Sequence, residues 1–411
     1  MRRSEALPRS APRSSTSLAL ANLRGVTILI VLAFHAVLAY LNWIPVSGSG
    51  FDKPPYDWRA FPIVDSHRFF GFDIFCAWQD VYLMALFFFL SGLFVWPSLK
   101  RKRDWAFLRD RAMRLGIPFV FGVTVIIPAA IYPSYRLTAA DPSLSAYWHS
   151  LRALPFWPNG PLWFIWQLLA LNFILVGVNL VAPNAIPALG RWSATADKNP
   201  VRYFGALLGI SVLAYVPLAL AFTPWAWSNS GLFAFQFCRP PLYVVYFFTG
   251  VGIGATDLER GVLAADGILA RHWFAVLAAA LATLLLWMGL TALTMNGGGS
   301  LGVRFAADLA YVPACAAGCF FLIAVCLRFA TGQRRLMGYL SANAYGLYLV
   351  HYVFIVWLQY ALLTLPLFAV VKASMVFTGT LVLTLATTFA VQRFPWGARL
   401  IGAAPRAVAA S

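Results

Sequence analysis

The fold is decided by stretches like NLRGVTILIVLAFHAVLAY, which occupies residues 22–40 and is apolar apart from Arg24, His35 and a few small or neutral polar side chains. Runs of about 20 such residues recur along the chain, and each is long enough to cross a bilayer as a helix. Of the 411 residues, 61% are hydrophobic and 11% are charged, whereas about a quarter of the residues in a soluble domain are charged. The sequence therefore excludes a soluble globular protein and predicts an all-α, polytopic integral membrane helical bundle.

The number of spans and the placement of basic residues predict the topology. Because the predicted number of spans is even, both termini lie on one side of the membrane. Most of the 31 lysine and arginine residues fall in the termini and the even-numbered loops, and the densest block is KRKRDWAFLRDRAMR at residues 100–114. The positive-inside rule therefore predicts that both termini are cytoplasmic. About ten spans are predicted, near residues 18–41, 77–98, 115–134, 161–183, 201–222, 239–255, 272–294, 305–328, 341–362 and 367–391.

The domain organisation follows from these spans. We expect one transmembrane domain over residues 17–392, preceded by a flexible basic tail over residues 1–16 and followed by a cytoplasmic tail over residues 393–411. The net charge of +17 does not indicate nucleic-acid binding, because the basic residues lie between spans and the positive-inside rule accounts for them. The five cysteines are odd in number and specify neither a disulfide framework nor a zinc site, so no metal is predicted.

Arg24 and His35 in the first span are candidate catalytic residues. Their spacing of eleven residues is three helical turns plus about 20°, so they share one helix face and lie about 16 Å apart along the axis. Arg24 near the cytoplasmic interface could instead extend its guanidinium to lipid headgroups. His35 lies deeper, where a polar group usually faces a partner or a water-filled cavity. The sequence therefore predicts a single site that uses both side chains.

Other polar residues in the spans are candidates for the same site. His351 lies near the middle of the ninth span with Tyr348 beside it, and both are predicted to contact substrate. A bond from His351 to a neighbouring helix is the alternative. Asp80 in the second span lies near the predicted depth of His35 and could orient and charge-stabilise the imidazole. Asp73 competes for that role, and either carboxylate could simply be solvated.

Three motifs near the predicted interfaces have both a functional and a structural interpretation. Arg111 and Arg114 could bind phosphate groups of a cosubstrate with their forked guanidinium groups, although lipid phosphate or the positive-inside rule also accounts for them. Trp163, in an aromatic segment at the outer interface, could stack on a sugar or belong to the usual interfacial belt. The segment TGVGIGA at residues 249–255 is rich in glycine, as phosphate-binding loops are, but it follows a helix and not a strand. We therefore expect its glycines to allow close helix packing.

Together these features resemble the acyltransferase 3 family of integral membrane acyltransferases. The order of the motifs is that of the family, and they cover most of the chain. Many members have an Asp shortly before the FFxLSG run, whereas this chain has Ala85. Within the family, the motifs look most like those of the branch of glucan biosynthesis protein C. The resemblance rests on the Arg24-x10-His35 pattern, FFFLSGLF (87–94), RDRAMRLGIP (109–118), GPLWFIWQLL (160–169) and YGLYLVHY (345–352).

The resemblance implies an O-acyltransferase of the bacterial inner membrane. It implies transfer of an acetyl or succinyl group from acyl-CoA, as a cytoplasmic cosubstrate and not a permanently bound cofactor, to a hydroxyl of an extracytoplasmic carbohydrate or glycolipid. His35 would be the general base, with a covalent acyl relay on His35 as the alternative, and Arg24 would hold the donor or stabilise negative charge. The lipid bilayer is an expected partner, as are a second copy of the chain or other glycan-synthesis proteins. A secondary transporter or flippase of a sugar-containing substrate is the alternative.

Overall fold

The computed structural model describes residues 14–44, 50–228, 231–295 and 298–401. Within these ranges the secondary structure is helical, and the β-structure consists of one isolated bridge between Trp227 and Gln236. This confirms the all-α prediction. Most of the predicted N-terminal tail, and the predicted C-terminal tail beyond residue 401, lie outside the described residues.

Ten helices correspond to the ten predicted spans. In the described ranges, nine are long and apolar enough to cross a membrane, and the tenth, α6, has 15 residues. The prediction of a multi-pass membrane bundle is therefore confirmed, while the side on which the termini lie stays a prediction. The helices are α1 (Ser15–Val37), α2 (Phe70–Lys102), α3 (Asp104–Thr138), α4 (Trp163–Val181), α5 (Pro200–Phe222), α6 (Pro240–Gly254), α7 (Trp273–Thr294), α8 (Leu301–Phe329), α9 (Arg335–Leu362) and α10 (Ala369–Gln392).

Burial distinguishes central helices from peripheral ones. In the most apolar window of each helix, 72% of α8 and 67% of α2 are buried within the protein, against 11% of α7. Helices α2 and α8 are therefore the most central, and α7 faces its surroundings along most of its length. Short helical segments lie between these elements at Leu38–Tyr40, Asp57–Arg59, Leu144–Ala153, Gly160–Leu162, Ala185–Ser193 and Ile268–Arg271, and one follows α10 at Pro395–Leu400.

The second and third helices are longer than their apolar runs predicted. Helix α2 begins at Phe70 and ends at Lys102, whereas the predicted span covered residues 77–98. The basic block at residues 100–114 is helical and not a loop, and the chain turns between α2 and α3 at Arg103, where φ is 64°. Hydropathy marks only the apolar run within such a helix, so the ends of the helix that carry charged residues lie outside the predicted span.

Helix α3 contains two wide turns that its prolines explain. A proline inside a helix lacks the N–H donor, and its ring clashes with the carbonyl four residues earlier. The π-helical segments Ala112–Gly116 and Gly122–Ile126 each end within two residues of a proline, Pro118 or Pro128, and their wider turn relieves the clash. Side chains bond carbonyls of this region, as membrane helices require: Trp157 to Val123, Tyr147 to Pro128 and Trp357 to Ala129.

Helices α2 and α6 pack backbone against backbone through glycine. A Cβ atom added at Gly92 would lie 2.9 Å from the backbone nitrogen of Val251, and one added at Gly250 would lie 3.0 Å from the carbonyl carbon of Phe89. Side chains at these positions would force the helices apart. The expectation that the glycines of residues 249–255 allow close packing is therefore confirmed.

We predict that Gly250→Ala destabilises the folded protein because the new methyl group would overlap the backbone of α2. Overpacking of this kind costs about 1–3 kcal/mol. The matched control is Gly209→Ala in α5, where an added Cβ has nothing within 4 Å. The thermal unfolding midpoints of both variants in detergent check this. Equal unfolding midpoints for the Gly250 and Gly209 variants would contradict close backbone packing at Gly250.

Candidate active site

The first and ninth helices bring two histidines together inside the bundle. His35 in α1 and His351 in α9 have ring centroids 4.9 Å apart, and Nε2 of His351 lies 3.4 Å from Nδ1 of His35. His351 is fully buried, whereas His35 is partly exposed. The two residues are 316 positions apart in the sequence, so the fold alone creates this pair.

Backbone carbonyls assign the tautomer of both neutral rings. Nδ1 of His35 lies 2.9 Å from the carbonyl oxygen of Val31, and Nδ1 of His351 lies 2.6 Å from that of Tyr348. Because a carbonyl can only accept, each Nδ1 is assigned as the N–H donor. In the neutral ring Nε2 then carries a lone pair. His35 thus presents an unprotonated Nε2 on the partly exposed side chain of the pair.

The helices around the pair are held in place by polar contacts. The side-chain amide of Gln359 donates to the carbonyl oxygens of His35, at 3.0 Å, and Ala36, at 3.1 Å. Gln359 is almost fully buried in α9. His351 and Gln359, which lie on different turns of α9, therefore both contact the C-terminal part of α1. These contacts fix the rotation of the two helices relative to each other. This residue was not predicted, although an amide within an apolar run is a detectable signal.

The segment that begins at Gly160 forms another wall of the site. The hydroxyl of Tyr348 donates to the carbonyl oxygen of Pro161, and the ring of Tyr352 lies 5.7 Å from that of His35. Gly160 has a φ of +47°, and a Cβ there would lie 3.2 Å from the Tyr352 ring. Only glycine combines this backbone conformation with so close an approach. The Gly160 segment is thereby packed against the tyrosines beside the histidines.

In the structure, the polar atoms of Tyr348 and His351 contact other residues of the protein. The Tyr348 hydroxyl is bonded to Pro161, and the fully buried His351 faces His35. Substrate contact through these polar atoms, as the sequence predicted, would require both bonds to open. The alternative, in which His351 bonds a neighbouring helix, describes its placement.

Arg24 lies on α1 without a carboxylate partner. Its guanidinium carbon is 4.2 Å from the centroid of the Phe94 ring in α2, a cation–π contact. The side chain is partly buried, and it is absent from the ion pairs between described residues. An arginine in this position keeps donors for an incoming anion. Its spacing from His35 is the one predicted, because α1 runs without a break from Ser15 to Val37.

Asp80 is paired with an arginine and not with His35. Nη2 of Arg239 donates to Oδ2 of Asp80 at 2.5 Å, and Nη1 donates to the backbone carbonyl of Asp80 at 2.8 Å. Arg239 is 4% exposed, so it requires this counter-charge. The sequence-based expectation of a contact between Asp80 and His35 therefore differs from the structure, in which a second imidazole stands beside His35. Asp73, the competing candidate, accepts from the backbone N–H groups of Asn42 and Trp43.

The two basic candidates in α3 differ in their partners. Nε of Arg114 lies 2.9 Å from Asp110, which also binds Lys102 at 2.8 Å. Arg111 places its guanidinium over the ring of Phe107 at 4.9 Å, and its Nε is buried without a hydrogen-bond partner. A buried donor without an acceptor costs free energy, so this Nε is suited to bind an anion that enters the site. Arg111 is thus a stronger candidate for binding an anion than Arg114.

Trp163 lies in an aromatic group at the start of α4. Its ring is stacked on Tyr243 at 5.8 Å and meets Trp227 edge-on at 6.1 Å. Tyr243 is stacked on Phe88 at 4.7 Å. Trp163 is partly exposed, so one part of its ring is packed while another part is open. The structure is compatible with both the predicted sugar contact and an interfacial belt.

One ion pair near the end of α1 had no counterpart in the sequence prediction. Nζ of Lys372 in α10 lies 2.7 Å from Oδ2 of Asp65, and these side chains are 0% and 1% exposed. Asp65 also bonds the backbone N–H of His67, and its own N–H donates to the carbonyl oxygen of Ala39. The pair attaches the loop after α1 to α10. The sequence signal for this ion pair was a lysine inside a predicted span, where a charged side chain needs a partner.

Comparison with known families identifies the class of protein. A family model described as an acyltransferase domain matches residues 18–393, nearly the whole helical bundle and every candidate residue. The protein is therefore an integral membrane acyltransferase. It belongs to the acyltransferase 3 family. No curated protein and no solved structure matches the chain, so the likeness to the branch of glucan biosynthesis protein C has no support beyond its motifs.

We predict that Asp80→Asn lowers stability because it leaves Arg239 without a counter-charge. Removing one partner of a buried ion pair costs about 3–5 kcal/mol, and the 37% exposure of Asp80 reduces the expected loss to about 2 kcal/mol. The control is Asp257→Asn, whose pair with Arg260 is exposed and 3.7 Å long. Thermal unfolding in detergent should separate the variants. Equal midpoints would contradict a stabilising pair.

Proposed function

We propose that the protein transfers a small acyl group, acetyl or succinyl, from a cytoplasmic acyl-CoA to a hydroxyl of an extracytoplasmic carbohydrate or glycolipid, with His35 as the general base. The observation that carries the proposal is the assigned state of His35. Its Nδ1 is bonded to the carbonyl of Val31, so the neutral ring presents an Nε2 lone pair inside a membrane acyltransferase. A lone pair of this kind can take the proton of an attacking hydroxyl.

Family membership and the basic residues support the donor. Acyl-CoA carries phosphate groups, and forked guanidinium groups bind phosphate well. Arg111 has an unpaired buried Nε, and Arg24 has no carboxylate partner in the described chain. In the proposed topology both arginines are nearer the cytoplasmic side than His35. Arg24 would hold the donor or stabilise the oxyanion that forms at the thioester carbonyl.

Aromatic residues support a carbohydrate acceptor. Trp163 is partly exposed and its ring is fixed by the stack on Tyr243. A rigid aromatic face suits the apolar face of a sugar ring. Trp163 leads the helix that follows the Gly160 segment, which packs against Tyr352 beside His35. A catalytic role for Asp80 stays a prediction, without the contact to His35 on which it was based.

The proposed step balances as a direct transfer. Nε2 of His35 takes the hydroxyl proton while the acceptor oxygen forms a bond to the acyl carbon. The C–S bond then breaks, and CoA leaves as a thiolate. The proton on His35 passes to that sulfur, which yields the thiol and restores the neutral ring. The products are the acylated acceptor and CoA, without a further reactant.

We predict that His35→Ala lowers acyl transfer at least about 100-fold, because general bases contribute about 10²–10⁴-fold. His149→Ala is the control, since His149 is exposed on a short helix. The assay supplies acetyl-CoA and succinyl-CoA to membranes and measures thiol release, together with mass spectrometry of envelope glycans and glycolipids. Wild-type transfer by a folded His35 variant would disprove the mechanism. Reconstituted protein that moves sugar without consuming acyl-CoA would instead favour the transporter alternative.

We predict that Arg111→Gln raises the KM for acyl-CoA about tenfold, which corresponds to the loss of one charge-assisted hydrogen bond. The KM for the acceptor should change little because, in the proposed topology, Arg111 lies on the cytoplasmic side and Trp163 on the outer side of the bundle. Arg109→Gln is the matched control, because Arg109 lies on the same helix and is exposed. Arg114→Gln should have a smaller effect, since Arg114 is already paired with Asp110. Equal KM values for the Arg111 and Arg109 variants would rule out this phosphate site.

A further inference from the structure

We infer that His351 is a positioning residue that holds the Nδ1 proton of His35 and shares the positive charge when His35 acts as a base. This inference rests on the proposed function, in which His35 takes the acceptor proton. It concerns a fully buried imidazole that the reaction step above does not use.

The tautomers give His351 one free lone pair, and it faces His35. Nδ1 of His351 donates to the carbonyl oxygen of Tyr348, so its Nε2 is the acceptor of the neutral ring. This Nε2 lies 3.4 Å from Nδ1 of His35, whose proton is already directed to Val31 at 2.9 Å. The His35 proton is therefore shared between a carbonyl and an imidazole. Both acceptors favour the Nδ1–H tautomer that leaves Nε2 of His35 unprotonated.

The two rings differ in burial, which distinguishes the proposed base from the positioning residue. His351 is 0% exposed, whereas His35 is partly exposed. In the proposed reaction the acceptor hydroxyl would reach the pair from the side of His35, with the buried ring of His351 behind it. The nearest candidate carboxylate in the sequence prediction, Asp80, is bonded to Arg239. The imidazole of His351 consequently occupies the place that an orienting carboxylate has in other general-base sites.

The proton balance explains why a long contact is sufficient. When Nε2 of His35 takes the hydroxyl proton, the ring becomes an imidazolium that donates from both nitrogens. Hydrogen bonds from a charged donor are shorter and stronger than neutral ones. The 3.4 Å contact to His351 should therefore tighten as the charge forms, as catalytic contacts often do in the transition state. The charge is lost when the proton passes to the CoA sulfur, and the pair returns to its initial state.

The surrounding helices hold the pair at this geometry. Gln359 bonds the carbonyls of His35 and Ala36, about two helical turns beyond His351 on α9. On the other side, Tyr348 is bonded to Pro161. Side chains on such rigid elements are placed more accurately than side chains on loops. His351 thus has the fixed surroundings that a positioning residue needs.

The kinetic test compares two substitutions at His351 in the full-length protein. His351→Phe keeps a ring of similar shape but has no lone pair, and we expect kcat to fall about 10–100-fold with the KM for acyl-CoA little changed. His351→Gln keeps an acceptor oxygen near the position of Nε2, and we expect its kcat to stay within about threefold of wild type. Thermal unfolding of both variants checks their folding. A Gln variant as impaired as the Phe variant would overturn the inference.

A spectroscopic test does not depend on transfer activity. The full-length protein with ¹⁵N-labelled histidine in lipid bilayers has five imidazoles, and solid-state NMR distinguishes protonated from unprotonated ring nitrogens. His35→Gln identifies the His35 signals by their loss. We expect wild-type His35 to be the Nδ1–H tautomer, and its Nδ1 signal to shift in His351→Phe while the signals of His149 stay unchanged. An Nε2–H tautomer, or no shift, would overturn the inference.

The two tests separate this inference from the proposed function. A shifted His35 signal in a protein that consumes no acyl-CoA would support the histidine pair and reject His35 as the acyl-transfer base. Wild-type transfer by His351→Phe, together with an inactive His35→Ala, would support the base and reject the positioning role of His351.

Discussion

A polar group inside a membrane bundle must find its partner within the protein, and this constraint determines how the helices of this chain are arranged. Lys372 is bonded to Asp65, Arg239 to Asp80, and Gln359 to the backbone of α1. Apolar contact between helices gives little preference for one rotation over another, because lipid tails are equally apolar. Each polar bond, in contrast, exists at only one rotation. These bonds therefore fix α9 against α1, α10 against the loop after α1, and the start of α6 against α2.

The same constraint accounts for the unusual backbone of α3. Its prolines leave carbonyls without helical donors, and indole and phenol groups from neighbouring segments bond carbonyls of this region. One of these donors, Trp157, lies just before the Gly160 segment that packs beside the histidines. The distortion of α3 and the shape of the site are thus connected through Trp157 and Gly160. Arg111 precedes the first π-helical segment directly, so the proposed donor-side and acceptor-side features belong to one distorted helix and its neighbours.

The fold could be predicted from the sequence, whereas the partners within the site could not. Hydropathy located all ten helices because each apolar run is itself the signal. It underestimated α2 and α3, whose polar ends are helical outside the apolar runs. The helical period correctly put Arg24 and His35 on one unbroken helix. It could not show that His351, 316 residues away, faces His35, or that Arg239 binds Asp80. Such pairings depend on helix rotation and neighbour order, which a single sequence does not encode in any local pattern.

The length of the site favours one class of acyl donor. Arg24 and His35 lie about 16 Å apart along an unbroken α1, and Arg111 is a further basic residue with an unpaired donor. A donor that kept its phosphates near the arginines and delivered its acyl carbon to His35 would need a long, slender arm between the two. Acyl-CoA has its thioester at the end of such an arm, whereas an acyl phosphate carries its charge next to the reacting carbon. An acyl phosphate bound at the arginines would leave His35 out of reach. The separation of the two residues is therefore the one that the proposed donor, a thioester of a long phosphorylated carrier, would require.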